Sequence, residues 1–156
     1  MNGMIRHPTL EVLIADHHRG ITLSLRCRKQ ALGQLRPTGS EGLRATASEF
    51  SAFVTRNLFG HFRAEEEILF PLVTKSNPEH TTLIQSLVTD HEKIRRGIER
   101  LASDRNLGKL LFDLADLLEQ HIRREERELF PLVIGCLAGK QGEKVKEKIA
   151  QLAGLK

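Results

Sequence analysis

The chain has 156 residues, 40% apolar and 28% charged, with a net charge of +4, and its seven aromatic residues are all Phe. This is an ordinary globular balance, long enough for one domain with a real core, expected to span residues 1–156. Two isolated cysteines, Cys27 and Cys136, exclude a disulfide scaffold or a zinc ribbon and suit a reducing, cytoplasmic compartment.

Apolar residues recur at spacings of three and four, with no sustained alternation, so the whole chain reads as all-α. The first helix is expected to begin near Pro8 or Thr9. It carries Leu10, Leu13, Ile14, Ile21, Leu25 and Leu32 and ends before RPTGSEG. The second runs from about Gly42 to about Val73, with Ser40 as its cap and Phe50, Phe53, Val54, Leu58, Leu69 and Leu72 as its stripe. Asn77 as cap and Pro78 at the first helical position open the third, which carries Leu83, Ile84, Leu87, Val88, Ile94, Ile98 and Leu101. The fourth carries Leu110, Leu111, Leu114, Leu117, Leu118, Leu129 and Leu132. In the tail, Val145, Ile149 and Leu152 share one side, which predicts a short fifth helix over about 141–153. Four long amphipathic helices with short loops predict an antiparallel up-down-up-down four-helix bundle over about residues 9–135. Pro71 and Pro131 lie near the ends of the second and fourth helices, where a kink or a stop costs least.

Two stretches are near-copies: GHFRAEEEILFPLV from Gly60 and QHIRREERELFPLV from Gln120 share nine of fourteen positions. The shared set includes a His, a Glu four residues later, and Leu-Phe-Pro-Leu-Val. A second pair of copies is DHH at Asp16 and DHE at Asp90. The chain therefore reads as two copies of a helix pair, each supplying one His and then His-x-x-x-Glu.

These polar residues fall inside the apolar stripes. His17 lies between Ile14 and Ile21, His61 follows Leu58, His91 follows Leu87, and His121 follows Leu117. Glu65 and Glu125 sit one turn beyond His61 and His121 on the same face. A lone His in such a stripe is usually a hydrogen-bonded core residue, and a lone His-x-x-x-Glu is commonly a surface pair. Six inward donors in duplicated order are another matter. Unpaired carboxylates in an apolar core cost several kcal/mol each, so something must compensate them. Four imidazoles and two carboxylates suit a pair of first-row transition ions, and the mixture points to iron or manganese, with zinc as a further option. His18 is adjacent to His17 but about 100° around the helix, and the repeat favours His17. Glu66 and Glu126 remain alternatives to Glu65 and Glu125.

Other chemistry lacks support. HEKIR at His91 has Arg95 where a zinc protease needs its second His. No His has a Glu three residues before it, as ferritin-like di-iron proteins require. There is no Gly-rich phosphate loop, and neither Cys neighbours a His. Basic residues are scattered among acidic ones, so no nucleic-acid partner is expected. No signal peptide or membrane span is expected.

The order His, His-x-x-x-Glu, His, His-x-x-x-Glu, with LFP after each pair, resembles the hemerythrin-like, or HHE cation-binding, domain over about residues 9–135. The resemblance implies a non-haem di-iron centre that meets dioxygen, nitric oxide or peroxide. It implies His17, His61, His91 and His121 as terminal ligands and Glu65 and Glu125 as bridges. Oxygen-carrying members have a fifth histidine four residues from one ligand. Here Leu87 and Arg95 flank His91 at that spacing. The implied site is more open than a carrier's and fits sensing, redox turnover or iron handling. The alternatives are a di-iron oxidoreductase, an iron donor for damaged iron–sulfur clusters (such repair proteins commonly carry a cysteine-bearing N-terminal segment, which is not expected here), or a regulatory module that signals to a partner. The tail helix would cover the bundle or pair two chains as a homodimer.

Overall fold

The computed structural model describes residues 7–138 and 140–153, and all its regular structure is helical. The leader question of the first six residues lies outside the described residues. A short 3-10 turn, Pro8–Leu10, leads into α1, Glu11–Ala31. The second rod, α2, covers residues 39–76, and a 3-10 turn at Pro78–His80 opens α3, Thr81–Leu101. The fourth, α4, covers 107–135, and α5 is Lys140–Ala153. α1 packs against α2 and α4, and α3 packs against α4 and α2, which closes the expected four-helix bundle.

The end of α1 follows from one glycine. Gly33 adopts φ +74, which only glycine enters without strain. Gly33 N–H donates to Gln30 O and Gln34 N–H to Lys29 O, a Schellman cap that satisfies the last carbonyls. The buried Gln30 side chain then holds the following loop, donating to Leu35 O and Pro37 O and accepting from Thr46 Oγ1. Two expected caps are not formed. α2 starts at Gly39 behind Thr38, so Ser40 lies inside it. Asn77 precedes the 3-10 turn, but its side chain caps nothing.

Pro71 and Pro131 neither stop nor break their helices. Each instead follows a π turn, Glu65–Leu69 in α2 and Glu125–Leu129 in α4. Proline has no N–H for the carbonyl four residues back and crowds it. The ladder widens just upstream, with Phe70 N–H donating to Glu65 O and Phe130 N–H to Glu125 O. α2 has a further π turn, Val54–Leu58, and α4 has no counterpart to it.

The core forms two apolar layers. One gathers Leu13, Leu69, Phe70, Leu87, Phe130 and Ile149, and the other Phe50, Phe53, Phe62, Ile94, Leu111 and Leu118. Each fully buried side chain of this size contributes roughly 1.5–3 kcal/mol. Leu25 and Leu32 are exposed, against expectation. The buried line of α1 runs through His17, Gly20, Ser24 and Cys27. Leu25 therefore stands about 100° off it, one residue beyond Ser24.

α5 covers the bundle. Val145, Ile149 and Ala153 enter the first layer. Its backbone crosses α2 so closely that a Cβ on Gly60 would lie 2.4 Å from Leu152 O.

Candidate metal centre

Between the two layers lie His17, His61, Glu65, His91, His121 and Glu125, each at most 2% exposed. They form two groups of potential ligands. His17 and His61 belong to one, His91 and His121 to the other, and Glu65 and Glu125 to both. Within each group the donor atoms lie within 4.8 Å of one another. The six side chains picked out in the sequence therefore meet, and the two carboxylates stand where the groups join. His18 is exposed and takes no part.

Every imidazole is held the same way. His17 Nδ1 lies 2.9 Å from Glu126 Oε2, His61 Nδ1 3.1 Å from Asp16 Oδ2, His91 Nδ1 2.5 Å from Glu66 Oε2, and His121 Nδ1 2.9 Å from Asp90 Oδ2. The carboxylates are acceptors, so each Nδ1 is the donor, and in the neutral ring each Nε2 keeps a lone pair. Those lone pairs point inward. His17 Nε2 is 3.0 Å from Glu125 Oε1, His61 Nε2 is 3.1 Å from Glu65 Oε2, and the Nε2 atoms of His91 and His121 are 3.2 Å apart. Two lone pairs facing each other call for a proton or a cation between them.

The carboxylate oxygens say the same. Glu65 Oε1 lies 2.9 Å from His91 Nε2, and Glu125 Oε2 lies 3.1 Å from His121 Nε2, yet neither oxygen has a hydrogen bond of acceptable geometry. They are acceptors in a dry core with no donor on line, and leaving such atoms unmet costs about 1–3 kcal/mol each or more. Imidazole and carboxylate donors at these positions fit a pair of divalent transition ions.

The protein alone balances this cluster with protons. Burial and the adjacent Glu125 charge push the Glu65 carboxyl up to about 8. Burial also acts on Glu125, but the positive charge of His121 and the hydrogen bond from His17 hold it well below the ordinary carboxylate range. Burial opposes the charge on His121, yet Glu125 and Asp90 lift its pKa to about 10. His17 is raised against burial by Glu125 and Glu126.

The repeated motif has a second role. Phe70 stacks on His91 at 5.7 Å and Phe130 on His17 at 5.2 Å, so the Phe of each LFP lies against the histidine of a neighbouring helix. Phe62 covers the other side of His91 at 3.9 Å. These rings shut out water and, unlike Tyr or Trp, offer nothing easily oxidised.

Glu66 and Glu126 are not in either ligand group. They reach past the centre to Nδ1 of His91 and His17 because a residue adjacent to an inward Glu projects about 100° away. Asp16 and Asp90 were not singled out as functional, yet they complete the outer set. Their signal was in the text: the Asp before His in DHH and DHE, and the second Glu in each EE pair, recur in both halves.

A family model described as the hemerythrin HHE cation binding domain matches residues 9–133. A curated protein of Nostoc sp. (strain PCC 7120) named DNA nickase is 29% identical over 117 residues, covering 68% of this chain and 33% of that protein. The chain thus spans about a third of the length of the relative it matches. No solved structure matches the chain.

Proposed function

The chain belongs to the hemerythrin HHE cation-binding family, and on that premise we propose that it is a non-haem di-iron protein that meets dioxygen, nitric oxide or peroxide in sensing, redox turnover or iron handling. His17 and His61 would hold one ion through Nε2, and His91 and His121 the other. Glu65 and Glu125 would bridge the two. The observation that carries this reading is the sharing of both glutamates between the two donor groups, with their unbonded oxygens at the join. Manganese or zinc would find the same donors.

Iron held there would supply one electron per ion to a small oxidant. The protein's own part is positional. Asp16, Glu66, Asp90 and Glu126 fix each ring with Nδ1 as donor and Nε2 inward, an arrangement that orients metal-binding histidines and makes them more basic. Phe62, Phe70 and Phe130 keep the space dry. The name of the Nostoc relative concerns DNA. In this chain Arg63, Arg95, Arg100 and Arg123 pair with acids on their own helices or just beyond, which supports a reading without a nucleic-acid partner. Among the described residues no helix is long and apolar enough to cross a membrane.

The test is anaerobic ferrous loading followed by elemental analysis, then stopped-flow spectroscopy on mixing with dioxygen, and turnover assays with peroxide and nitric oxide. About two irons per chain are expected, as in two-metal sites, together with rapid oxidation. A single tightly held ion in the intact chain would defeat the paired reading. A long-lived oxygenated form that releases oxygen under vacuum would replace sensing and redox turnover with carriage.

A further inference from the structure

A second cleft lies outside the centre, between α1 and α2, with a volume of about 500 Å³. His18, Arg19, Arg26, Glu49, Arg56 and Asn57 line it. Its charge is one-sided. Glu49 is its acid, and Glu49 is already engaged by Arg26 in a two-pronged ion pair. Arg19 lies over the Phe53 ring at 5.2 Å and has no acidic partner among the described residues, and Arg56 has none either. Two guanidinium charges are thus left uncompensated on the rim.

The floor supplies a second, independent observation. Asn57 is only 8% exposed, lines this cleft, and its amide has no hydrogen-bond partner among the described residues. The amide is not among the sealed unpaired groups, so it still reaches solvent, and the cleft that Asn57 lines is where a ligand would meet it. Asn57 stands in the π turn Val54–Leu58, the turn that α4 lacks. π turns of this kind are frequently found at functional sites. The internal repeat acts as a control. Four residues before His61 stands Asn57, with Arg56 before it. Four residues before His121 stands Leu117, with Asp116 before it. The donor and the cation occur in one half of the duplicated chain only, so the metal centre common to both halves does not require them.

We infer that this cleft binds a small phosphate-bearing ligand, with Arg19 and Arg56 as charged clamps and the Asn57 amide as a neutral donor. Guanidinium groups match phosphate oxygens in paired hydrogen bonds, and an amide N–H at the floor meets an acceptor that no cation or apolar group would offer. The volume lies within the usual range for small-molecule pockets and leaves room for an ester as well as for free phosphate. The inference does not depend on which metal the centre holds.

The test is isothermal titration calorimetry on the full chain as purified, at fixed physiological ionic strength, with inorganic phosphate in one arm and glycerol 3-phosphate in the other. Saturable binding with a dissociation constant on the order of 1 mM or tighter is expected in at least one arm. The arm that binds more tightly tells free phosphate from an ester. N57L, which installs the residue of the other half, should weaken binding about five- to tenfold with the fold intact. R19A/R56A should abolish it. R63A/R100A removes the same charge elsewhere and should leave it unchanged. Absence of saturable binding in both arms overturns the inference. So does equal loss in R63A/R100A, which would reduce the effect to net charge. Binding that survives both N57L and R19A/R56A would place phosphate elsewhere, on the metal centre for instance, and also overturns it.

Discussion

Asp90→Ala tests whether the outer carboxylates hold the centre together. Asp90 Oδ2 accepts from His121 Nδ1 at 2.9 Å, and the His121 ring is 2% exposed. Removing the acceptor strands a buried N–H and frees the ring to turn. A stranded buried donor costs about 1–3 kcal/mol, or roughly 5- to 150-fold in the affinity of an ion held by that ring. Asp90 keeps some contact with solvent, its side chain being 13% exposed, so water can partly replace it. That argues for the lower part of the range, about tenfold, which agrees with the general effect of such outer partners. Asp90→Asn keeps an acceptor oxygen and should cost less. Arg124 Nη1 lies 3.8 Å from the same Asp90 oxygen, so Arg124→Ala controls for the lost ion pair. The assay is competition for ferrous or zinc ion against a chelator of known affinity, with metal-free melting curves alongside. If Asp90→Ala holds metal within about threefold of the unchanged protein while His121→Ala loses it, the Nδ1 bond is not what positions the ring.

Metal-free protein should lose stability as pH rises from about 5 to about 10. Folded Glu65 keeps its proton to about 8 instead of 4.5, and His121 to about 10 instead of 6.5. The folded state therefore binds more protons than the unfolded one across that window, and unfolding free energy falls with pH. Glu125, shifted downward, acts only below its ordinary 4.5. Urea midpoints against pH should show this decline, and metal should flatten it by displacing those protons; a midpoint that climbs over the window contradicts the arrangement. Gly60→Ala should destabilise by about 1–3 kcal/mol, because the new methyl meets Leu152 O at 2.4 Å and must displace α5. An unchanged unfolding midpoint would mean that α5 yields freely. Cys27 is fully buried, and burial pushes its thiol up to about 12, so it should resist thiol reagents until the protein unfolds, whereas the partly exposed Cys136 reacts in the native state. Two fast-reacting thiols in the folded protein would refute this.

Helix type, helix order and the six inward donors were legible because each is a local matter of spacing. An apolar stripe at three and four marks the buried face, and a polar residue on it is conspicuous wherever the chain goes. Duplication then separated His17 from His18 without coordinates. The reach of Asp16, Glu66, Asp90 and Glu126 was not legible in this way, although the letters were present twice. Each of these carboxylates bonds a ring on a neighbouring helix, so its partner is set by which helices pack together and how they are rotated. The same holds for the LFP motif. The sequence showed that it recurs, but only the packed bundle put Phe70 on His91 and Phe130 on His17. Pro71 and Pro131 suggested a kink or a stop. Flanking turns buried in the core instead held the helices together and let the strain widen one turn. The sequence alone determined that six donors face inward; contacts between helices, which no local spacing encodes, decided what holds each of them in place.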